Sequence, residues 1–195
     1  MKLLLTSTGL RTAKIRRAFN DLIKKDVSKT RVIFITINTT SKRGSYYTNR
    51  ELERITNAGI KKENIKLLDL SQGGIINIEP FDVIYVAGGN TYKYLKELRD
   101  AGLMDKIRRA VKNGRLYVGS SAGSILAGPE IRASQEENTV KLKDLACLRL
   151  VSFTVMPHYN HKRKRELEKL RKETVYEIKP LRDEEAIKID YELIK

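Results

Sequence analysis

One cysteine, Cys147, leaves this 195-residue sequence without an internal disulfide and without a multi-cysteine metal site. That usage fits a reducing compartment, and the cytoplasm is the expected location. No apolar run approaches the roughly 18 residues of a membrane-spanning helix. The apolar stretch of the N-terminal MKLLLTSTGL is too short for a signal peptide and reads as a first strand. Histidine is scarce: only His158 and His161 occur. Three residues apart and with no acid beside them, they make a poor metal shell, so neither a metal nor another cofactor is expected. Internal repeats and low-complexity linkers are missing too, and the length suits one domain over residues 1–195.

Positive charge is abundant. Lys and Arg number 39 against 24 Asp and Glu, a formal net charge of +15. Such a field concentrates anions near the surface and makes nucleic acid one candidate partner. No RNA- or DNA-binding motif accompanies it, so a solvated cationic surface is the simpler reading of the charge.

The apolar pattern alternates between two periods. Leu3–Leu5, Val32–Ile37, Val83–Val86 and Leu116–Val118 are short runs suited to strands buried on both faces of a parallel sheet. Between them, Ile15, Ala18, Phe19, Leu22 and Ile23 follow the spacing of one helix face. Leu52 and Ile55 form a thinner stripe. Met104, Ile107, Ala110 and Val111 mark a further helix that stops at Asn113-Gly114. This alternation predicts an α/β fold with a doubly wound, mostly parallel sheet. Gln72-Gly73-Gly74 reads as a loop, and residues 128–146 as a hairpin or long loop. Residues 162–172 read as an exposed basic helix, and Ala186–Ile194 as one or two terminal strands.

The chemistry gathers in three places. Leu116–Val118 runs into Gly119-Ser120-Ser121-Ala122-Gly123, a G-x-S-x-G pattern between a strand and a helix of small residues. A sharp turn there exposes the Ser121 hydroxyl, and the next amide, of Ala122, faces the position of a developing oxyanion. After Val86, the sequence Ala87-Gly88-Gly89-Asn90-Thr91 also leaves a strand and opens a helix, so Gly89 can supply a second oxyanion donor on the same rim. It lacks the G-x-G-x-x-G spacing of a dinucleotide site. His158, in Met156-Pro157-His158-Tyr159-Asn160, is the candidate base, whereas His161 heads the basic segment and suits the surface. The acid that would orient the base is one of Glu130, Glu136, Glu137, Asp144, Asp183, Glu184 and Glu185, and spacing does not choose among them.

VAGGNTY (Val86–Tyr92), GSSAGS (Gly119–Ser124) and MPHYN (Met156–Asn160), in that order, resemble the peptidase E family of serine peptidases. That family includes aspartyl dipeptidase and, more distantly, cyanophycinase. The likeness runs from LLLTST near the N-terminus to EEAI, Glu184–Ile187. It implies an α/β/α sandwich similar to class I glutamine amidotransferases. It also implies a serine exopeptidase or dipeptidase needing no cofactor, acting on short peptides that begin with Asp, and a homodimer. The roles it implies are Ser121 as nucleophile, His158 as base, Gly89 and Ala122 as oxyanion donors, and Glu185 as the triad acid, with Glu136 as the alternative. An acidic substrate needs a cation, for which Arg132, Arg163 and Arg165 are candidates, and Asn90 lies beside the oxyanion loop. An esterase shares G-x-S-x-G, and Glu136 or Asp144 before His158 would fit its triad order, but the chain is short and lacks an HGGG-type stretch. A cysteine-dependent amidotransferase is excluded by Ser121 at the elbow. A non-enzymatic nucleic-acid binder on the same fold rests on charge alone.

Overall fold

The computed structural model describes residues 1–37, 40–73 and 77–191. The chain runs through β1 (Lys2–Thr6), α1 (Ala13–Ile23), β2 (Val32–Thr36), α2 (Lys42–Thr56) and β3 (Ile65–Asp69). It continues through β4 (Val83–Val86), α3 (Thr91–Asp100), α4 (Leu103–Lys112), β5 (Leu116–Ser120) and the short α5 (Ala122–Leu126). The last elements are β6 (Thr154–Met156), α6 (Lys164–Glu173), β7 (Ile178–Pro180) and β8 (Ala186–Asp190). Among the described residues, no helix is long and apolar enough to cross a membrane.

Six strands form the main sheet in the order β3-β2-β4-β5-β1-β8. The first five are parallel and β8 is antiparallel to β1. Side chains alternate across it as the two-residue period requires. Leu3, Leu5, Ile33, Ile35, Ile84, Val86 and Tyr117 enter one apolar cluster, with residues of α3, α4 and α5. Leu4, Val32, Phe34, Val83, Tyr85, Leu116 and Val118 enter the other, with residues of α1 and α2. Burial on both faces explains why the central strands read as continuous apolar runs. The helices are amphipathic in the same sense: α4 buries Leu103, Ile107, Ala110 and Val111 along one stripe.

Some expectations are refined. β3 escapes the apolar-run signal because it is an edge strand, with Lys66 and Leu67 exposed. The thin stripe of α2 is explained by its buried residues, Thr48, Glu51 and Ile55, two of them polar. Residues 128–146 form a long loop closed by one antiparallel bridge between Glu130 and Ala146. Of the expected terminal strands, β8 is present and residues 192–194 lie outside the described residues, as does Gly74 of the expected loop.

A second, two-stranded sheet pairs β6 and β7 in parallel, Met156 opposite Pro180. Parallel pairing places both C-terminal ends on the same side. His158 follows the end of β6 by two residues and Asp183 follows the end of β7 by three. The Leu181 amide donates to the Met156 carbonyl, and the Tyr159 amide to the Leu181 carbonyl, each at 2.9 Å, which extends the register to the two side chains.

Candidate active site

β4, β5 and β1 are neighbours, and their C-terminal ends share one rim, where open α/β sheets bind ligands. Beyond β5 the chain turns sharply at Ser121, which has φ 48° and ψ −107°. A non-glycine residue at positive φ is strained, and such strain persists only where the surroundings hold it. Here they do. The Ser121 amide donates to the Thr6 carbonyl at 3.0 Å. The Ser124 hydroxyl shares its one proton between the carbonyls of Thr6 (2.7 Å) and Gly119 (2.8 Å) and accepts from the Thr6 amide (2.8 Å). The elbow is thereby stapled to β1. Gly123 permits it to seat against β4, since a Cβ there would stand 2.1 Å from the Val86 carbonyl oxygen.

Ser121 Oγ lies 2.9 Å from His158 Nε2. His158 Nδ1 lies 2.8 Å from Asp183 Oδ1. A carboxylate only accepts, so Nδ1 carries the proton toward Asp183 and Nε2 accepts from the Ser121 hydroxyl. His158 is itself held at φ 57°. Its amide donates to Ser7 Oγ at 2.7 Å, and the Ser7 hydroxyl donates to Asp183 Oδ1 at 2.9 Å. Thr8 Oγ1 donates to the Asp183 carbonyl at 2.6 Å, and Arg11 stands 3.7 Å from its other carboxylate oxygen. Burial pushes the Asp183 carboxyl up, but hydrogen bonds from His158 and Ser7, with the charges of His158 and Arg11, outweigh it and hold the group below the ordinary range of an aspartate.

The acid that hydrogen-bonds the ring is therefore Asp183, not the Glu185 that the resemblance implies. The turn at Arg182–Glu185 closes on itself: the Glu185 amide donates to the Arg182 carbonyl at 3.0 Å, and Glu185 Oε2 accepts from the Arg182 amide at 2.8 Å. That bond engages an exposed Glu185 within its own turn, while Asp183 faces the imidazole. Glu136 is also held elsewhere, accepting from Ser134 Oγ at 2.6 Å and Thr91 Oγ1 at 3.0 Å. Glu137 and Glu184 are exposed, Asp144 pairs with Arg99 at 2.9 Å, and Glu130 accepts from Thr174 Oγ1. His161 is exposed at the start of the turn before α6.

Gly89 sits at φ 155°, and a Cβ there would meet Tyr94 Cε2 at 2.9 Å, so only glycine fits. A Cβ on the adjacent Gly88 would lie 3.6 Å from Ser121 Cβ, which places this loop directly against the elbow. Ala122 is the first residue of α5, where an amide has no partner within its own helix. Asn90 caps α3 by accepting from the Lys93 amide at 3.0 Å and donates to the Glu137 carbonyl at 3.0 Å.

The candidate cations fare differently. Arg163 forks onto both carboxylate oxygens of Glu166 at 2.9 Å and also donates to the Pro157 carbonyl, so all three of its nitrogens already make a hydrogen bond within the protein. Arg132 pairs with Glu130 at 3.2 Å and lines, with Lys143 and Tyr176, a cavity of about 380 Å³ that includes none of Ser121, His158 and Asp183. Arg165 is exposed on α6. Arg11, beside Asp183, is the cation that sequence reasoning passed over, and Ser7 is the polar residue it passed over. Cys147 is buried, its Sγ donates to the Gly128 carbonyl at 3.0 Å, and burial pushes its thiol up to about 12, which suits packing rather than nucleophilic chemistry. Among the described residues, no cluster of three His, Cys, Asp or Glu could hold a metal ion.

The model of peptidase family S51 matches residues 3–195, nearly the whole sequence. The chain belongs to peptidase family S51. Within S51-related proteins, it is 32% identical over 135 residues to an uncharacterized peptidase of Listeria monocytogenes, covering 67% of this chain and 66% of that one. It is 36% identical over 115 residues to peptidase E of Salmonella arizonae, covering 59% of this chain and 49% of the relative. The chain thus spans between about half and two thirds of the length of these two curated relatives. A crystal structure of a Listeria monocytogenes protein assigned as peptidase E superposes with a TM-score of 0.76 at 26% identity, covering 98% of both chains. The sheet and the flanking helices are therefore those of an S51, peptidase E-like fold.

Proposed function

We propose that this S51 protein is a serine peptidase that hydrolyses short peptides through Ser121, His158 and Asp183. The observation that carries the reading is the continuous relay from Ser121 Oγ to His158 Nε2 (2.9 Å) and from His158 Nδ1 to Asp183 Oδ1 (2.8 Å), with the serine held at a strained elbow. His158 removes the hydroxyl proton as Ser121 Oγ attacks the scissile carbonyl. The Gly89 and Ala122 amides stabilise the tetrahedral oxyanion. His158 then delivers its proton to the leaving amine, and water, deprotonated by the same ring, releases the acyl group. Asp183 keeps Nδ1 protonated and stabilises the imidazolium. Ser7 fixes both partners, bonding the His158 amide and the Asp183 carboxylate.

The reading extends to short peptides with an acidic N-terminal residue. Family resemblance to peptidase E and a net charge of +15 support it, since such a field raises the local concentration of anionic substrates. A dipeptide-library screen of the full chain tests both levels. Turnover of dipeptides with kcat/KM for Asp-Leu at least about tenfold above Ala-Leu, a difference of about 1.4 kcal/mol in transition-state binding, is the expected result. Equal values for the two substrates contradict the acidic preference and leave the peptidase reading standing. Turnover of no dipeptide contradicts both.

A further inference from the structure

The buried face of α2 carries a carboxylic acid where a hydrocarbon would serve the core. Glu51 is 8% exposed, between Thr48 and Ile55 on the same stripe. Removing an acid from water is costly unless hydrogen bonds replace its hydration, and replacing such a group by a hydrocarbon is often neutral for stability. At Glu51 the replacements are in place. The Tyr85 hydroxyl donates to Oε2 at 2.6 Å and the Gly88 amide to Oε1 at 3.1 Å. The Ser120 hydroxyl and the Arg54 charge both favour the ionised carboxyl. These neighbours border the nucleophile: Ser120 precedes it, and the two hydrogen-bond donors, Tyr85 and Gly88, belong to the end of β4 and the loop packed against it.

We infer that Glu51 is a positioning residue, which by accepting the Gly88 amide anchors the Ala87-Gly88 peptide at the root of the glycine loop and so helps hold the Gly89 amide toward the oxyanion. This rests on the function proposed above, in which Gly89 is an oxyanion donor. The geometry supplies two handles on the loop. Glu51 holds the amide side of Gly88, and the Tyr94 hydroxyl makes a long, weak contact to the Gly88 carbonyl at 3.5 Å. Across a trans peptide the Gly89 N–H points opposite to the Gly88 carbonyl, hence away from the Tyr94 hydroxyl. A glycine pair is otherwise free to rotate, so the loop's conformation depends on such handles.

The contact is robust to titration. Burial pushes the Glu51 carboxyl up, against the hydrogen bonds from Tyr85, Gly88 and Ser120 and the charge of Arg54. Oε1 accepts from Gly88 as a carboxylate oxygen or as the carbonyl of the neutral acid. Burial, reinforced by Glu51, pushes the Tyr85 phenol well above its ordinary value, so it stays a donor.

The test measures kcat, KM and Tm of the full chain for Glu51→Leu, Glu51→Gln and Tyr85→Phe, on the dipeptide that the unaltered protein turns over fastest. Glu51→Leu fills the space and removes the acceptor; it is expected to lower kcat about 10- to 100-fold with KM within about twofold, the pattern of an interaction made only in the transition state. Glu51→Gln keeps an acceptor for Gly88 and is expected to recover kcat to within about threefold of the unaltered protein. Tyr85→Phe loosens the carboxyl without removing it and should fall between, again at constant KM. If Glu51→Leu does not fold, Tyr85→Phe decides: a lower kcat at constant KM supports the role, and an unchanged kcat overturns it. A folded Glu51→Leu with full kcat, or a Glu51→Gln no better than Glu51→Leu, overturns it as well. When the unaltered protein turns over dipeptides and Ser121→Ala does not, such a result removes only the role of Glu51. When the unaltered protein turns over none, the peptidase reading falls and takes this role with it.

Discussion

Ser121→Ala is expected to abolish dipeptide hydrolysis while leaving Tm within a few degrees of the unaltered protein. The loss should reach about 10⁶-fold in kcat, because nucleophile, base and orienting acid act as one unit and removing the serine removes covalent catalysis altogether. The fold should tolerate it because the hydroxyl's recorded partner is His158, on the wet rim, whereas the elbow is stapled by the Ser121 amide and the Ser124 hydroxyl, both retained. His158→Ala should cause a comparable loss, and the double variant should be no worse than either, since the two losses do not add. Steady-state kinetics on a verified dipeptide, with thermal unfolding in parallel, checks this. Undiminished turnover by a folded Ser121→Ala protein would remove the mechanism.

Asp183→Asn is expected to lower kcat about 10³- to 10⁴-fold, whereas Glu185→Gln and Glu136→Gln should each change it by less than about threefold. An asparagine amide facing Nδ1 favours the wrong tautomer, with the proton on Nε2, where it cannot accept from Ser121. Glu185 spends its carboxylate on the Arg182 amide and Glu136 on Ser134 and Thr91, so neither touches the ring. The titration of Asp183 has a definite sign. Its carboxyl is held below the ordinary aspartate value in the folded chain, so its contribution to stability is present above the unfolded value and lost as the pH falls through the lower, folded value. The Tm gap between the unaltered protein and Asp183→Asn should therefore hold from neutral pH down to about 4 and narrow only below it. With Asp183 about 41% exposed, solvent screens the effect and the gap should be small. A kcat that falls with Glu185→Gln and survives Asp183→Asn reverses the assignment.

The main sheet was legible because its central strands are buried on both faces, and four short apolar runs located β1, β2, β4 and β5. β3 was not, because an edge strand exposes one side and Lys66 interrupts its apolar pattern. Ser121 and His158 could be reached from local signals: a glycine-flanked serine between strand and helix, and one of two histidines following an apolar stretch. Asp183 could not. It stands in a run of three acids, Asp183-Glu184-Glu185, and what separates them is set by distant partners. The β6–β7 register brings the segment to His158, and the antiparallel pairing of β8 with β1, Ala186 opposite Thr6, brings it to Ser7 and Thr8. Family likeness pointed to Glu185, two residues away. Ser7 and Glu51 were hidden for a related reason. A serine after a strand and an acid on a helix normally face water, and only packing turns Ser7 into a clamp between His158 and Asp183 and Glu51 toward Gly88.

The central claim is that His158, oriented by Asp183, makes Ser121 a nucleophile, and one measurement addresses it without knowledge of the substrate. The full chain is treated with a fluorophosphonate, digested and mapped by mass spectrometry, beside the His158→Ala and Asp183→Asn proteins under the same conditions. The account predicts one modified residue, Ser121, in the unaltered protein, with labelling strongly slowed in both variants. Modification of another residue in place of Ser121, or labelling of Ser121 at the same rate in all three proteins, would contradict it.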